Sequence, residues 1–212
     1  AVHLAAAAAA AVGGEAEQHG FVLVSGGSKS MVLEATEEIE EISKATPLDI
    51  DAVTVCCGST LSNRFIVQVT TRQIRFMLAG APRDDAPHAP IELGAAAEAS
   101  GGSISDPYIA VRFNDRTLRL FAVASEVSVE ELTGKLPDTI TKDVLSVCLY
   151  RDRILATTLL AVATTACHGT LHIVDLAEMK EVFHAEHLAD VAPVLRTPNV
   201  AGVGCELYHL RA

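Results

Sequence analysis

The most constraining feature of this chain is a strand-turn-strand pattern that occurs four times. In each copy an apolar run is followed by a short polar or glycine-rich turn and then by a second apolar run. The four copies begin at residues 21, 65, 108 and 159, so consecutive copies start 44, 43 and 51 residues apart. A four-stranded blade of a β-propeller takes about 40 to 50 residues. The period therefore predicts one blade per copy.

Each copy has the composition of a half-buried β-hairpin. The apolar runs are rich in β-branched and aromatic residues, which favour strands, and the turns contain residues that tolerate positive φ. Two further runs, 53–57 and 144–149, are predicted to be inner strands that open the next blade, and 181–183 is predicted to be an edge strand. We predict an all-β fold of about three to four propeller blades, WD-repeat-like four-stranded antiparallel sheets that belong to a larger propeller.

Alternate residues of a blade strand face the neighbouring blades. The four hairpins therefore predict a set of side chains that are mostly buried between blades. These are Val22, Val24, Ile66, Val67, Ile109, Val111, Val162 and Ile173.

Segments of biased composition give the predicted domain boundaries. Residues 1–19 contain an alanine tract and are interpreted as a low-complexity linker, residues 20–195 as the propeller segment, and residues 196–212 as a tail of uncertain structure. Residues 81–102 hold three prolines and an alanine-rich patch, and we interpret them as a loop. The apolar run 4–12 is far shorter than the roughly 20 residues of a spanning helix, so no membrane segment is predicted.

The net charge of −11 works against direct contact with a phosphate backbone. Such contact depends on clustered lysine and arginine side chains that release counterions. The basic cluster that could serve it consists of Arg64, Arg72 and Arg75. The acidic run 34–41 is either an acidic docking surface or the solvated face of an outer strand, and we favour the second because charge runs are usually solvated.

Candidate reactive groups are few. The five cysteines do not resemble a disulfide framework, and we interpret them as reduced core thiols. Cys167 and His168 are neighbours, but a nucleophile and its base must converge in space with an orienting third group. His184 and His187, with Cys167 or Cys205, could supply three zinc ligands. Surface histidines near the end of a strand are the simpler interpretation.

Pairs of carboxylates occur at two places. Asp49 with Asp51, and Asp84 with Asp85, fall on predicted turns, where an aspartate side chain caps local backbone donors. No glycine-rich phosphate loop follows a predicted strand and opens a helix. We therefore assign no catalytic, cofactor-binding or metal-binding residue and no cofactor, and predict that the chain is not an enzyme.

Several strings resemble one family, and they occur in the same order along the chain. They are Gly20-Phe-Val-Leu-Val-Ser25, Lys29-Ser-Met-Val-Leu33, Glu37-Glu-Ile-Glu-Glu-Ile42, Cys57-Gly58, Asn63-Arg-Phe-Ile-Val-Gln-Val69, Gln73-Ile-Arg75, Ser105-Asp-Pro-Tyr108 and Val144-Leu-Ser-Val-Cys-Leu-Tyr-Arg-Asp152. Over residues 20–195 the chain resembles the large subunit of the cleavage and polyadenylation specificity factor, in the middle one of its propellers. The large subunit of the damaged-DNA-binding complex and a splicing-factor propeller subunit are similar over the first two hairpins.

This resemblance implies a non-catalytic scaffold for messenger-RNA 3′-end cleavage and polyadenylation in the nucleus. The implied partners are other subunits of that factor, namely a WD-repeat subunit, a zinc-finger subunit and an endonuclease subunit, with RNA bound indirectly through them. An alternative is an adaptor of the damaged-DNA-binding type that docks a cullin ubiquitin ligase, or a related splicing-factor subunit. Co-purification of cleavage-complex subunits, as opposed to a cullin, would separate these possibilities.

Overall fold

The structure is a computed structural model that describes residues 2–5, 20–26, 29–35, 39–43, 48–62, 64–78, 89–124, 128–152 and 156–188. Within these ranges the chain forms sixteen β-strands, one short α-helix and two 3-10 turns. The strands make four antiparallel sheets of four strands, and in each sheet the strands lie in chain order. These sheets are the predicted propeller blades, and we number them blade 1 to blade 4.

Each blade contains four consecutive strands. Blade 1 contains β1 (Val2–Ala5), β2 (Gly20–Gly26), β3 (Lys29–Ala35) and β4 (Ile39–Glu41). Blade 2 contains β5 (Thr54–Thr60), β6 (Phe65–Thr70), β7 (Gln73–Leu78) and β8 (Ile91–Glu92). Blade 3 contains β9 (Ala99–Ser105), β10 (Tyr108–Phe113), β11 (Leu118–Val123) and β12 (Val129–Glu131). Blade 4 contains β13 (Val144–Asp152), β14 (Thr157–Thr164), β15 (Thr170–Asp175) and β16 (Lys180–Ala185).

Short helical segments occur at two places between these strands. A 3-10 turn (Thr133–Lys135) and helix α1 (Asp138–Thr141) connect blade 3 to blade 4. The second 3-10 turn (Ala166–His168) lies between β14 and β15. None of the helices in the described ranges has the length and apolar character needed to cross a membrane.

The four predicted hairpins are the central strand pairs of the four blades. They are β2–β3, β6–β7, β10–β11 and β14–β15. The runs 53–57 and 144–149 fall almost wholly in β5 and β13, which open blades 2 and 4 as predicted. The predicted edge strand 181–183 lies in β16, which pairs with β15 at the outer side of blade 4.

The structure differs from the prediction in two segments. The predicted loop 81–102 contains β8 and most of β9, while residues 81–88 lie outside the described ones. Glycines give β9 little strand propensity, but its pairing with β10 and its packing against β5 outweigh this. In the predicted linker 1–19, β1 pairs with β2, so Val2–Ala5 belong to blade 1. The predicted tail, 196–212, lies outside the described residues.

Apolar cores fill the joints between consecutive blades. Cys57 of blade 2 packs with Val32 of blade 1, Phe65 belongs to a cluster shared by blades 2 and 3, and Leu160 belongs to one shared by blades 3 and 4. Backbone hydrogen bonds also connect the blades, for example from the Val144 N–H to the Arg116 carbonyl at 2.8 Å. The blades therefore follow one another in space in chain order.

The second strands of blades 2, 3 and 4 are buried along most of their length, whereas buried and partly buried side chains alternate along β15. Four of the eight predicted residues are buried: Val67, Ile109, Val111 and Val162. Three others are partly buried: Val24, Ile66 and Ile173. The side chain of Val22 lies outside the described part. In β15 the buried side chains are those of Thr170, His172 and Val174, so the predicted inward position is wrong by one residue.

Candidate functional site

The Asp-Pro-Tyr string lies at the turn from β9 to β10 and joins blade 3 to blade 2. The Asp106 carboxylate accepts hydrogen bonds from the backbone N–H groups of Leu61, at 2.9 Å, and Ser62, at 3.1 Å. Both residues have positive φ, 51° and 56°, in the tight turn between β5 and β6. A carboxylate suits this position because its two oxygens can accept both donors at once.

The same hairpin contacts blade 4. The Tyr108 hydroxyl donates to the Leu176 carbonyl at 3.3 Å, and the Leu149 N–H donates to the Ser103 hydroxyl at 2.9 Å. The string therefore connects three consecutive blades. Its residues hold the blades together, which is a structural role and not a chemical one.

A buried amide joins blade 2 to the segment that leaves blade 1. Gln68 is fully buried in β6, where its Nε2 donates to the Asp49 carbonyl at 3.0 Å and to the Thr54 hydroxyl at 2.8 Å. Its Oε1 accepts from the Asp49 N–H at 2.9 Å. One side chain thus satisfies polar groups that would be costly to bury without partners.

The aspartate pair 49 and 51 caps a turn, as predicted. The Asp49 carboxylate accepts from the Asp51 N–H at 3.2 Å and from Arg75 Nη1 at 2.8 Å. The first contact is the turn cap expected from the sequence, and the second ties the turn to β7. The second pair, Asp84 and Asp85, lies outside the described residues.

Each arginine of the predicted basic cluster lies beside a carboxylate or an aromatic ring. Arg72 forms an ion pair with Glu98 at 2.9 Å, and Arg75 forms one with Asp49 at 2.8 Å. The guanidinium carbon of Arg64 lies 5.4 Å from the centroid of the Phe65 ring. Surface ion pairs contribute little to stability, but here they cancel charge that a phosphate contact would need.

The described cysteines, Cys56, Cys57, Cys148 and Cys167, are in the reduced state and differ in exposure, Cys148 being partly buried. Cys56 and Cys57 are buried, and burial raises the pKa of both thiols, that of Cys57 to about 12. They are the core thiols that the sequence predicts. Cys167 is exposed on the turn after β14, which differs from the prediction. Cys205 lies outside the described residues.

The neighbours Cys167 and His168 have separate partners. The ring of His168 stacks on that of His187 with centroids 6.0 Å apart. The pKa of Glu186 is lowered, first by its hydrogen bond to His184 and last by one to the Cys167 thiol. This arrangement does not pair the thiol with the adjacent imidazole as a nucleophile with its base.

A cluster of two imidazoles and a carboxylate lies on the outer hairpin of blade 4. Glu181 Oε1 is 2.6 Å from His172 Nδ1 and 3.2 Å from His184 Nδ1. The two rings meet edge to face with centroids 4.9 Å apart. One ligand atom from each residue lies within 4.8 Å of the other two. These are the residue types that bind zinc.

Hydrogen bonding within this cluster shifts two pKa values. Hydrogen bonds to Glu186 and to Glu181 raise the pKa of His184. Burial alone would raise the pKa of Glu181, but its hydrogen bonds to His172 and His184 outweigh burial, and the pKa is lowered. The cluster therefore favours a charged imidazolium beside a charged carboxylate.

The sequence pattern suggests His184 and His187 as possible zinc ligands and gives no signal for His172 or Glu181. Residues three apart in an extended strand point to opposite faces, so spacing alone could not identify the partners of His184. The available signal was the hairpin register, which places His172 directly opposite His184. That register requires knowledge of the bulge in β16, which the sequence does not reveal.

Four four-stranded sheets in chain order form a propeller segment, and one propeller family matches most of the chain. Residues 5–199 match the RSE1/DDB1/CPSF1 second beta-propeller. The chain belongs to this family. Its propellers are scaffold and adaptor domains, which is consistent with a chain that is not an enzyme. The resemblance inferred from the sequence strings is confirmed.

A curated relative from this family is the cleavage and polyadenylation specificity factor subunit 1 of Drosophila melanogaster. It is 36% identical to this chain over 96 residues, which are 45% of the chain and 6% of the relative. The match thus covers a small part of a much longer protein. It supports a propeller of the subunit 1 type within the RSE1/DDB1/CPSF1 family.

The outer strands of this family member carry exposed apolar side chains. Ile39 in β4 is 74% exposed, and Val182 and Phe183 in β16 are 52% and 47% exposed. The predicted outer strand within the acidic run is β4, whose three side chains are all exposed. The acidic run is therefore divided, because residues 34 and 35 belong to β3 and residues 36–38 lie outside the described ones.

Proposed function

We propose that the chain is a non-catalytic scaffold segment of the nuclear machinery that cleaves and polyadenylates messenger RNA. The observation that carries this proposal is the 36% identity to a cleavage and polyadenylation specificity factor subunit within a matched second propeller. The proposed partners are the WD-repeat, zinc-finger and endonuclease subunits of that factor. RNA is reached through those partners, because Arg72 and Arg75 are paired with carboxylates.

The arrangement of the blades supports a scaffold role. Polar bonds from Asp106 and Tyr108 tie blade 3 to both of its neighbours, and buried side chains fill the joints. A rigid stack of sheets keeps its loops and outer strands at defined positions. Rigid presentation of loops is the property by which propellers organise other proteins.

The test is to identify proteins that co-purify with the tagged protein after mild cross-linking of nuclei. We expect cleavage and polyadenylation subunits by mass spectrometry. Recovery of a cullin, or of splicing subunits, in their place would contradict the proposal and favour an adaptor of the damaged-DNA-binding or splicing type.

Two variants make this experiment specific to the folded propeller. Leu120→Asp places a charge at a fully buried position of β11 and should abolish recovery of the partners. Glu130→Gln changes an exposed side chain of β12 and should leave recovery unchanged. Equal recovery with both variants would show that capture does not depend on the fold.

A further inference from the structure

The outer hairpin of blade 4 brings two imidazoles and a carboxylate to one face of the sheet. His172 in β15 is directly opposite His184 in β16. The register then shifts, so that Val174 pairs with Glu181 and Val182 is left as the extra residue of a bulge. Paired residues of an antiparallel ladder point to the same face. The bulge therefore turns Glu181 to the face of His172 and His184, whereas a regular ladder would turn it to the other.

The distances between the donor atoms are close to those of a tetrahedral metal centre. Bonds of about 2.0–2.2 Å from zinc to nitrogen and oxygen place neighbouring ligand atoms roughly 3.3 Å apart. Glu181 Oε1 is already 2.6 Å and 3.2 Å from the two Nδ1 atoms, and all three ligand atoms lie within 4.8 Å of one another. Side-chain adjustments of several tenths of an ångström to about 1.5 Å would admit an ion.

A second carboxylate supports one of the imidazoles from outside the cluster. His184 Nε2 is 3.1 Å from Glu186 Oε1, on the opposite side of the ring from Glu181. A ligating histidine usually donates its other ring N–H to a carboxylate, which selects the tautomer and orients the ring. When an ion binds, the Nδ1 proton that faces Glu181 is released to solvent, while Glu186 keeps the proton on Nε2 and the Nδ1 lone pair is free to bind the ion.

The ring of His172 provides the fixed part of the cluster. Its side chain is only 4% exposed, whereas those of Glu181 and His184 are 36% and 42% exposed. Two neutral imidazoles and one carboxylate suit zinc and the neighbouring late transition metals, whereas calcium and magnesium prefer oxygen ligands. An ion could enter from the solvent side without rearrangement of the core.

We propose that His172, Glu181 and His184 bind a zinc ion, or another late transition-metal dication, and thereby fasten the outer strand β16 to β15. Water completes the coordination. Glu186 orients His184 and does not itself contact the ion.

The test is calorimetric titration of the metal-stripped full chain with zinc chloride at pH 7.5. We expect one ion per chain and a rise in the melting temperature, because an ion that binds only the folded state stabilises it. Cobalt(II) in place of zinc should give the visible absorption of a four-coordinate ion. Glu181→Gln should weaken zinc binding at least tenfold, and Glu186→Gln by about 10- to 100-fold.

Two control variants distinguish this site from the neighbouring turns. His168→Gln, in the turn before β15, and Glu178→Gln, in the turn after it, alter exposed side chains outside the three proposed ligands and should leave zinc affinity unchanged. Far-ultraviolet circular dichroism of the metal-free variants should match that of the parent chain. Loss of binding in the control variants, unchanged binding in Glu181→Gln, or no binding to the parent chain would each overturn the proposal.

Discussion

Gly102 shows how little space separates the first strands of neighbouring blades. A Cβ atom at this position would lie 2.7 Å from the Cys56 sulfur and 3.0 Å from the Ala110 carbonyl oxygen. Gly58 is similarly confined, since its Cβ would lie 3.0 Å from that of Ile104. Glycine is needed at these two positions because β5 and β9 approach closely. The same glycines weaken the local strand signal.

Gly102→Ala should therefore lower the free energy of unfolding by about 1–3 kcal/mol, the usual cost of overpacking a core. The measurement is urea denaturation followed by circular dichroism. Gly134→Ala is the matched control, because a Cβ at Gly134 would meet no atom within 4 Å. Its effect should stay within about 0.5 kcal/mol. Equal midpoints for both variants would contradict the close approach of the two strands.

Asp106→Ala removes the acceptor for two backbone N–H groups of the preceding blade. We expect it to cost about 1–3 kcal/mol of unfolding free energy, since hydrogen bonds to a charged group are lost. Asp106→Asn should cost less, because its amide oxygen can still accept one bond. Asp138→Ala, at the exposed start of α1, is the control and should have a smaller effect. If Asp106→Ala is as stable as the parent chain, the turn between β5 and β6 keeps its conformation without the Asp106 carboxylate.

At the scale of elements, the second strands of blades 2, 3 and 4 differ most from the simple alternating pattern. Val67, Gln68 and Val69 are consecutive in β6 and are all buried. A strand that packs between two blades has no solvent face, so polarity does not alternate along it. The strand β16 is the opposite case, with five exposed side chains and one of intermediate exposure. The pairing of β16 with β15 therefore depends more on polar contacts than the pairing of the buried strands does.

The pH dependence of the β15–β16 hairpin follows from the shifted pKa values of His184 and Glu181. The pKa of His184 is raised above its ordinary 6.5, so its stabilisation is complete below pH 6.5 and is lost as pH rises through the folded pKa. The pKa of Glu181 is lowered below its ordinary 4.5, so its stabilisation is complete above pH 4.5 and is lost as pH falls.

Both contributions are therefore complete between the two ordinary values, 4.5 and 6.5. We expect amide protons of the metal-free β15–β16 hairpin to be better protected at a pH inside this interval than at pH 8, after correction for the intrinsic exchange rate. Hydrogen exchange with mass spectrometry in the presence of a chelator measures this. Glu186→Gln removes the largest cause of the raised pKa of His184 and should abolish most of the difference, whereas Glu181→Gln should abolish a smaller part. A difference that persists in both variants would mean that other groups cause it.

At the scale of the whole molecule, the balance of charge governs what the chain can contact alone. The net charge is −11, and the arginines that could form a basic patch lie beside carboxylates or an aromatic ring. A protein that neutralises few phosphates gains little from counterion release. We therefore expect the chain by itself to bind RNA weakly.

We predict that the isolated chain binds RNA containing a polyadenylation signal no more tightly than roughly 10⁻⁴ M at physiological salt. Fluorescence anisotropy over a range of salt concentrations measures this affinity. Glu98→Gln, which releases Arg72 from its ion pair, should strengthen binding only slightly. A sub-micromolar, salt-sensitive affinity that falls in Arg64→Ala would contradict the prediction.

Much of the fold could be predicted because its signals are local. The apolar runs and turn residues of the four central hairpins lie within about 20 residues of one another in sequence, which suffices to define a hairpin. Their spacing predicts the blades, and the ordered set of strings, Asp-Pro-Tyr among them, indicates the family. The role of Asp106 between two blades could not be derived locally, since its partners Leu61 and Ser62 lie 45 and 44 residues away.

The sequence by itself thus determined an all-β chain of repeated hairpins, a strongly acidic charge and a propeller family. Only the tertiary structure decided that the glycine-rich residues 99–105 form a strand, because β5 and β10 supply the contacts that their propensity lacks. It also decided that Glu181 joins His172 and His184. A bulge of one residue changes the face to which a side chain points, and cross-strand register depends on packing between segments that are separate in sequence.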